Sequence, residues 1–248
     1  MIREQRRRAR KKKKILIALL VFVLVMGAAG FAAVKLFVVE QVEVEGNVLY
    51  NSDVIETAVL NDKYSWNSLY VFVKYRFVDT EPVPFVDTME ITLKDPKTLH
   101  IKVYEKGMMG CLYIPSIQEN AYFDKDGFVV ETSSRKIPDV PVVKGLDCDQ
   151  VVLYEKLPID GDKLREILTL TQALKRAGLV PDSVTYGVDH APVLGYGGIT
   201  VNMGPLDVLT QKVERLEKVM PKISGEKGTL HLETWTEETT NIVFNRAE

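Results

Sequence analysis

Apolar positions run unbroken over one long stretch of this chain, residues 15–34, ILIALLVFVLVMGAAGFAAV, where twenty successive residues carry no charge. As an α-helix that stretch is ~30 Å long, the thickness of a bilayer's hydrocarbon core. Lys35 follows, with a stem long enough to carry its ammonium to an interface, and beyond it the periods shorten. Phe37 to Glu45 sets Val42 and Val44 on one side and Glu43 and Glu45 on the other, the period of a half-buried strand, and Gly46-Asn47 turns it. Asn51-Ser52-Asp53 offers N-caps for a short helix, DVIETAVL, with Val54, Ile55, Ala58 and Val59 on one face. Ser65 is placed to cap a second helix, WNSLYVFVKYRF, with Trp66, Leu69, Tyr70 and Val73 at helical spacing. A connector from Asp79 to Pro84 leads to two strands, VDTMEITLKD and TLHIKVYEK, joined at Asp95-Pro96. Residues 37–105 are therefore expected to form a β-α-α-β-β unit.

A second pattern starts near Lys106. Cys111 to Ile114 reads as a strand, and AYFDKDGFVVE reads as a hairpin whose Asp126-Gly127 supplies the positive-φ turn. Ile137 to Pro141 is an extended connector. Residues 161–177 form an amphipathic helix through Leu164, Ile167, Leu168, Thr171 and Leu174, stopped by Gly178 and Pro181. Ser183–Val188 and Ile199–Met203 read as strands, with Gly195-Tyr-Gly-Gly as a hairpin turn between strands. Gly204-Pro205 is expected to open another helix with Pro at its first position, facing the core through Leu206, Leu209, Val213, Leu216 and Met220. Residues 229–235 and 240–245 close the chain as a hairpin around Glu237-Glu238.

Charge decides how the apolar run is read. Residues 1–14 hold nine Lys and Arg, among them Arg6, Arg7, Arg8, Arg10, Lys11, Lys12, Lys13 and Lys14, against the single acid Glu4. The positive-inside rule then keeps the N-terminus cytoplasmic and exports the rest. A cleaved signal sequence also begins with basic residues, and Ala28, Ala29, Ala32 and Ala33 offer small side chains, but its apolar core is typically ~7–15 residues. This run is longer, and apolar character resumes as LFVV, so a retained anchor is expected. A basic run touching a spanning helix is an orientation signal held by anionic lipid, not a nucleic-acid arm. Residues 36–248 hold 22 bases and 33 acids, a net charge of −11. Cys111 and Cys148 are too few for a disulfide framework; one bridge and two separate thiols both fit the sequence.

Catalytic chemistry is sparse. His100, His190 and His231 are scattered, HExxH and GxSxG are absent, and neither cysteine sits in a CxxC, so no metal or cofactor is expected. Two Ser-x-x-Lys matches, Ser133…Lys136 and Ser224…Lys227, lie in loop-like stretches. The chemistry of that pair needs the Ser at a helix start with Lys one turn on, supported by SDN and KTG elements, and neither element exists here. No enzyme activity and no small-molecule substrate are expected.

The short basic tail, one span, FVVEQVEVEGN (Phe37 to Asn47) and the β-α-α-β-β order together resemble the bacterial division family FtsQ/DivIB. Thr98 to Lys106 is similar to the last strand of that family's POTRA domain. Tyr122-Phe123-Asp124…Gly127 with Pro141–Gly145 is similar to the start of its β domain, and Lys212 and Gly228 to Leu232 match its C-terminal pattern. The resemblance implies an α+β fold: a cytoplasmic basic tail (1–14), a transmembrane helix (15–36), a POTRA domain (37–105) and a β-rich domain with two helices (106–248). It further implies a non-enzymatic scaffold of the septum that binds DivIC/FtsB-type and FtsL-type bitopic proteins outside the membrane and helps control septal wall synthesis.

In that family the last strand is the docking edge, here Thr239–Arg246. The implied partner-binding residues are Trp235, Thr239, Asn241, Ile242, Val243, Phe244 and Asn245. Successive strand residues face opposite sides, so some of these must be core. One departure matters: the family often carries a basic residue after its closing pattern, whereas this chain has Leu232-Glu233, so charged contacts do not carry over. The implied location is the cell membrane at the septum, with a single pass. Gly27-Ala28-Ala29-Gly30 offers a small-residue patch for packing on other spans. A POTRA-bearing translocation or chaperone component is the alternative, and it predicts repeated POTRA units or a membrane barrel. An exported wall-remodelling enzyme, the third reading, predicts a compact catalytic set.

Overall fold

A computed structural model describes residues 2–187, 191–235 and 242–247, with side chains from residue 13 onward except at residue 33. The fold is mixed α+β, with one N-terminal apolar helix and a β-rich remainder. The chain divides into two compact units, Met1–Glu105 and Lys106–Glu248.

The first unit opens with α1 (Ile2–Leu36), whose segment Lys13–Leu36 is long and apolar enough to cross a membrane. Its apolar side chains are exposed in the protein itself. Five elements follow: β1 (Gln41–Glu45), α2 (Ser52–Val59), α3 (Ser68–Phe77), β2 (Val86–Asp95) and β3 (Thr98–Glu105). The sheet order is β1-β3-β2, with β1 parallel and β2 antiparallel to β3. Two helices between β1 and β2 make the crossover that a parallel β1/β3 pair requires. The core is Ile55 and Val59 of α2 and Val71 of α3 against Val86, Ile91, Leu99, Ile101 and Val103, with Val42 and Val44 packed beside it. On the other face Lys94 meets Glu43 at 2.9 Å and His100 meets Glu45 at 3.3 Å, which explains the alternation of β1. Gly46 has φ +83°, and a Cβ there would run into the Val103 carbonyl oxygen, so the turn after β1 demands glycine. Glu105 then fixes the following loop by accepting from the N–H groups of Val48 and Leu49, both at 2.7 Å.

Both helices of this unit differ from expectation in detail. Helix α3 starts at Ser68, not near Ser65, because the Asn67 side chain takes the capping bond, accepting from Tyr70 N at 2.9 Å. Ser65 belongs to the preceding turn, where its hydroxyl accepts from Asp62 N at 3.3 Å. The start at Ser68 rotates the buried face onto Ser68 and Val71, leaving Val73 exposed and Trp66 outside the helix. In α2, Ile55 and Val59 are buried and Val54 is exposed. Eight residues give room for one buried pair at i, i+4.

The second unit is a nine-stranded sheet with two helices. Its strands are β4 (Gly110–Ile114), β5 (Glu119–Phe123), β6 (Val129–Ser133), β7 (Val142–Lys144), β8 (Ser183–Tyr186), β9 (Pro192–Tyr196), β10 (Ile199–Asn202), β11 (Gly228–His231) and β12 (Val243–Arg246). Their order across the sheet is β12-β11-β10-β9-β8-β7-β4-β5-β6. The helices are α4 (Gly161–Arg176), between β7 and β8, and α5 (Leu209–Ile223), between β10 and β11. Both flanking strand pairs are parallel, as crossover helices dictate. Asp160 caps α4 by accepting from Asp162 N and Lys163 N at 3.1 and 2.9 Å. Gly178, at φ +67°, ends it while Leu179 N donates back to Leu174 O at 2.9 Å. Leu164, Ile167, Leu170 and Leu174 of α4 and Val213 and Leu216 of α5 meet Leu112, Ile114, Phe123, Val184, Leu194, Val201 and Leu230 in one core.

Helix α5 begins four residues later than Pro205. Gly204 sits at φ +62°, a left-handed conformation that no helix start accommodates, and the Pro205 carbonyl instead accepts from Lys212 Nζ at 2.8 Å. In α4 it is Leu170, not Leu168, that is buried. The expected strand at Ser183–Val188 runs to Tyr186, and Val188 lies outside the described residues.

The cysteines sit on opposite faces of the sheet. Cys148 packs in the helix-covered core with Leu112 and Ile114, whereas Cys111, next to Leu112 on β4 and out of phase with it, points the other way beside Tyr122. Both are free and buried, and burial pushes the Cys111 thiol up to about 12 and raises that of Cys148. Alkylation of the native protein near pH 8 is therefore expected to modify neither. In denaturant without reductant, mass spectrometry should read two added groups. An unmodified chain under those conditions would mean the two are bridged.

Candidate functional site

Strand β12 ends the nine-stranded sheet, pairing antiparallel with β11 in the register Gly228↔Arg246, Thr229↔Asn245, Leu230↔Phe244 and His231↔Val243. Among the described residues no strand covers its outer side. The hydrogen bonds fix which backbone groups face outward. Ala247 N donates to Lys227 O at 2.9 Å, whereas Gly228 N turns the other way to Gly198 O at 3.1 Å. Antiparallel pairs alternate between bonded and non-bonded, so Val243 and Asn245 exchange bonds with β11 while Phe244 and Arg246 aim N–H and C=O away from it. That is a two-residue backbone template of the kind a partner strand can extend.

Side chains sort by the same alternation. Phe244 and, just before the strand, Ile242 pack against the core, while Val243 is 49% exposed and Asn245 is exposed. Trp235 is 5% exposed, with the Arg215 guanidinium 5.8 Å from its ring, so it contributes to the interior and not to an open face. Trp235 is buried beside Arg215 of α5, and Ile242 and Phe244 are half-buried because the strand alternation turns them to the core. Thr239 and Asn241 lie outside the described residues, as does the Glu237-Glu238 turn. Arg6, Arg7, Arg8, Arg10, Lys11 and Lys12 have backbone in α1, and Lys13 and Lys14 are exposed on it.

Residues outside the implied partner-binding set complete the edge. Arg246 reaches Glu226 with Nε and Nη2 at 2.7 and 2.8 Å, a two-point grip that ties the end of β12 to the turn before β11. The His231 ring lies between Glu233, 2.6 Å from Nδ1, and Asn245, 3.2 Å from Nε2. The register reveals this group, because Asn245 and Arg246 lie 14 and 20 residues from His231 and Glu226 along the chain. Lys212 is 1% exposed, and its ammonium donates to Met203 O and Pro205 O at 2.7 and 2.8 Å, holding the loop between β10 and α5.

Neither Ser-x-x-Lys match has the geometry of a nucleophile pair: Ser133 closes β6 and Ser224 follows α5. Among the described residues no three His, Cys, Asp or Glu side chains gather as metal ligands. Comparison with family models and with characterised proteins finds no match to this chain.

Proposed function

We propose that this protein is a single-pass divisome scaffold of the FtsQ/DivIB kind, with its N-terminus cytoplasmic and its two units outside the membrane at the septum. On this reading the β1-α2-α3-β2-β3 unit is a POTRA domain. The protein catalyses nothing; the second unit captures DivIC/FtsB-type and FtsL-type bitopic proteins by adding their strand to β12. The observation that carries the reading is the outward row of backbone groups at Phe244 and Arg246, in a unit tethered downstream of an apolar helix. The basic residues before that helix support the orientation. The alternation of β12 supports the mode of capture, because backbone bonds supply affinity and the open side chains Val243 and Asn245 supply specificity.

Depletion of the protein is expected to give filamentous cells with uncompleted septa, and the tagged full chain should co-purify with bitopic partners of this class. Normal division with altered wall cross-linking after depletion would overturn the proposal.

A further inference from the structure

We infer that the loop carrying Lys63, Tyr64 and Trp66 rests on the lipid headgroup layer and seats the first unit on the bilayer, an inference that depends on α1 being a span. Two hydrogen bonds splice the end of α1 to this loop: Ser68 N donates to Phe37 O at 3.0 Å and Val39 N donates to Trp66 O at 2.9 Å, and together they pair Val38 with Asn67 as an antiparallel bridge. Phe37 is the first residue past α1, so no free linker separates helix from domain. Three residues from Leu36 to Val39 span at most ~10 Å, which keeps the Trp66 backbone close to the helix end. With residues 15–34 in the hydrocarbon, that end lies in the interfacial layer, roughly 5–7 Å deep on each side.

The side chains there suit that layer. Trp66 is 47% exposed and Tyr64 50% exposed, and the Lys63 ammonium stands 4.7 Å from the Tyr64 ring centroid. Trp and Tyr favour membrane interfaces because an apolar ring carries a polar edge, and Lys reaches from there to phosphate. The loop is also preformed. Asp62 is engaged within the fold, accepting from Lys74 Nζ at 2.8 Å, Tyr70 Oη at 3.0 Å and Tyr64 N at 2.8 Å, and the Tyr64 and Tyr70 rings pack edge to face at 5.5 Å. The Lys74 ammonium holds the Asp62 carboxyl well below the usual carboxylate range. The anchor therefore needs little ordering on contact with lipid.

The test uses the full chain in vesicles of phosphatidylcholine with a minor share of phosphatidylglycerol, the acyl chains brominated either near the headgroup or near the chain end. Subtracting the emission of Trp66→Phe from that of the parent isolates Trp66, and Trp235→Phe reads it directly if the first variant fails to fold. The expected result is loss of most Trp66 emission with the shallow bromines and little with the deep ones. A Phe22→Trp control inside α1 should show the opposite. Unquenched Trp66 beside a quenched Phe22→Trp would overturn the headgroup contact and leave the span standing. An unquenched Phe22→Trp would overturn the span and, with it, the inference.

Discussion

Replacing Arg246 with proline is expected to lower partner capture at β12 by roughly ten-fold or more, while Arg246→Ala changes it by less than about three-fold. Arg246 aims its N–H away from β11, so proline removes a donor that a docked strand would use on the proposed reading. The bonds that hold β12 to β11 run through Val243, Asn245 and Ala247 and survive. The ring also obstructs the approach of a partner strand, which adds a steric term to the lost bond. Both substitutions forfeit the grip on Glu226, whose Arg246 side chain is 75% exposed, and exposed pairs contribute at most about 1 kcal/mol. Alanine thus isolates the side chain and proline isolates the backbone. Capture of a DivIC/FtsB-type or FtsL-type partner by the detergent-solubilised full chain reads both. Equal capture by the two variants would remove strand addition at β12 as the docking mode.

Lys212→Met is expected to destabilise the second unit by about 2–3 kcal/mol. Methionine fills the space, but the Met203 carbonyl is left buried without its donor, and the Pro205 carbonyl loses its partner. Relief of a buried charge offsets part of this. The pH dependence carries a sign. Burial pulls the Lys212 ammonium below its ordinary value of 10.5, against the opposing pull of Asp207 and Glu233. Between the folded value and 10.5 the unfolded chain binds more protons, so the Lys212 contribution to stability grows as pH rises through that window and is lost as pH falls. The gap between parent and Lys212→Met should therefore widen toward alkaline pH in denaturant titrations. A variant within about 0.5 kcal/mol of the parent would show that the two carbonyls find water instead.

Short-range signals were legible in the sequence where a residue type had one physical use. The Val42/Val44 alternation marks β1, and Gly46 and Gly127 mark turns with positive φ. The Gly178 stop ends α4, whereas its Asp160 cap is seen only in the fold. Errors arose where two local options compete. Ser65 and Asn67 both cap well; a local turn with Asp62 takes Ser65, and the tertiary bond from Ser68 N to Phe37 O lies at the start that Asn67 caps. Pro205 suits a helix start, yet Gly204 and the Lys212 ammonium commit that segment to a loop. The short strands β7 and β9 are not legible because three to five residues beside Pro or Gly carry too little period to separate strand from connector. At the candidate edge, the composition of residues 242–245 suggested a strand. Which backbone groups stay unpaired depends on the register with β11, whose partners lie 12 to 18 residues away, and no local pattern encodes that.

The splice between α1 and β1 also has a rotational consequence. Phe37 and Val39 are already bonded to Ser68 and Trp66, pairing Val38 with Asn67, so a turn of α1 about its own axis is handed to the first unit and not absorbed by slack chain. One extra residue within α1 advances the helix phase by about 100°. If α1 spans a bilayer as proposed, whatever packs against it there, for instance at Gly27 and Gly30, sets the compass heading of the attached domain.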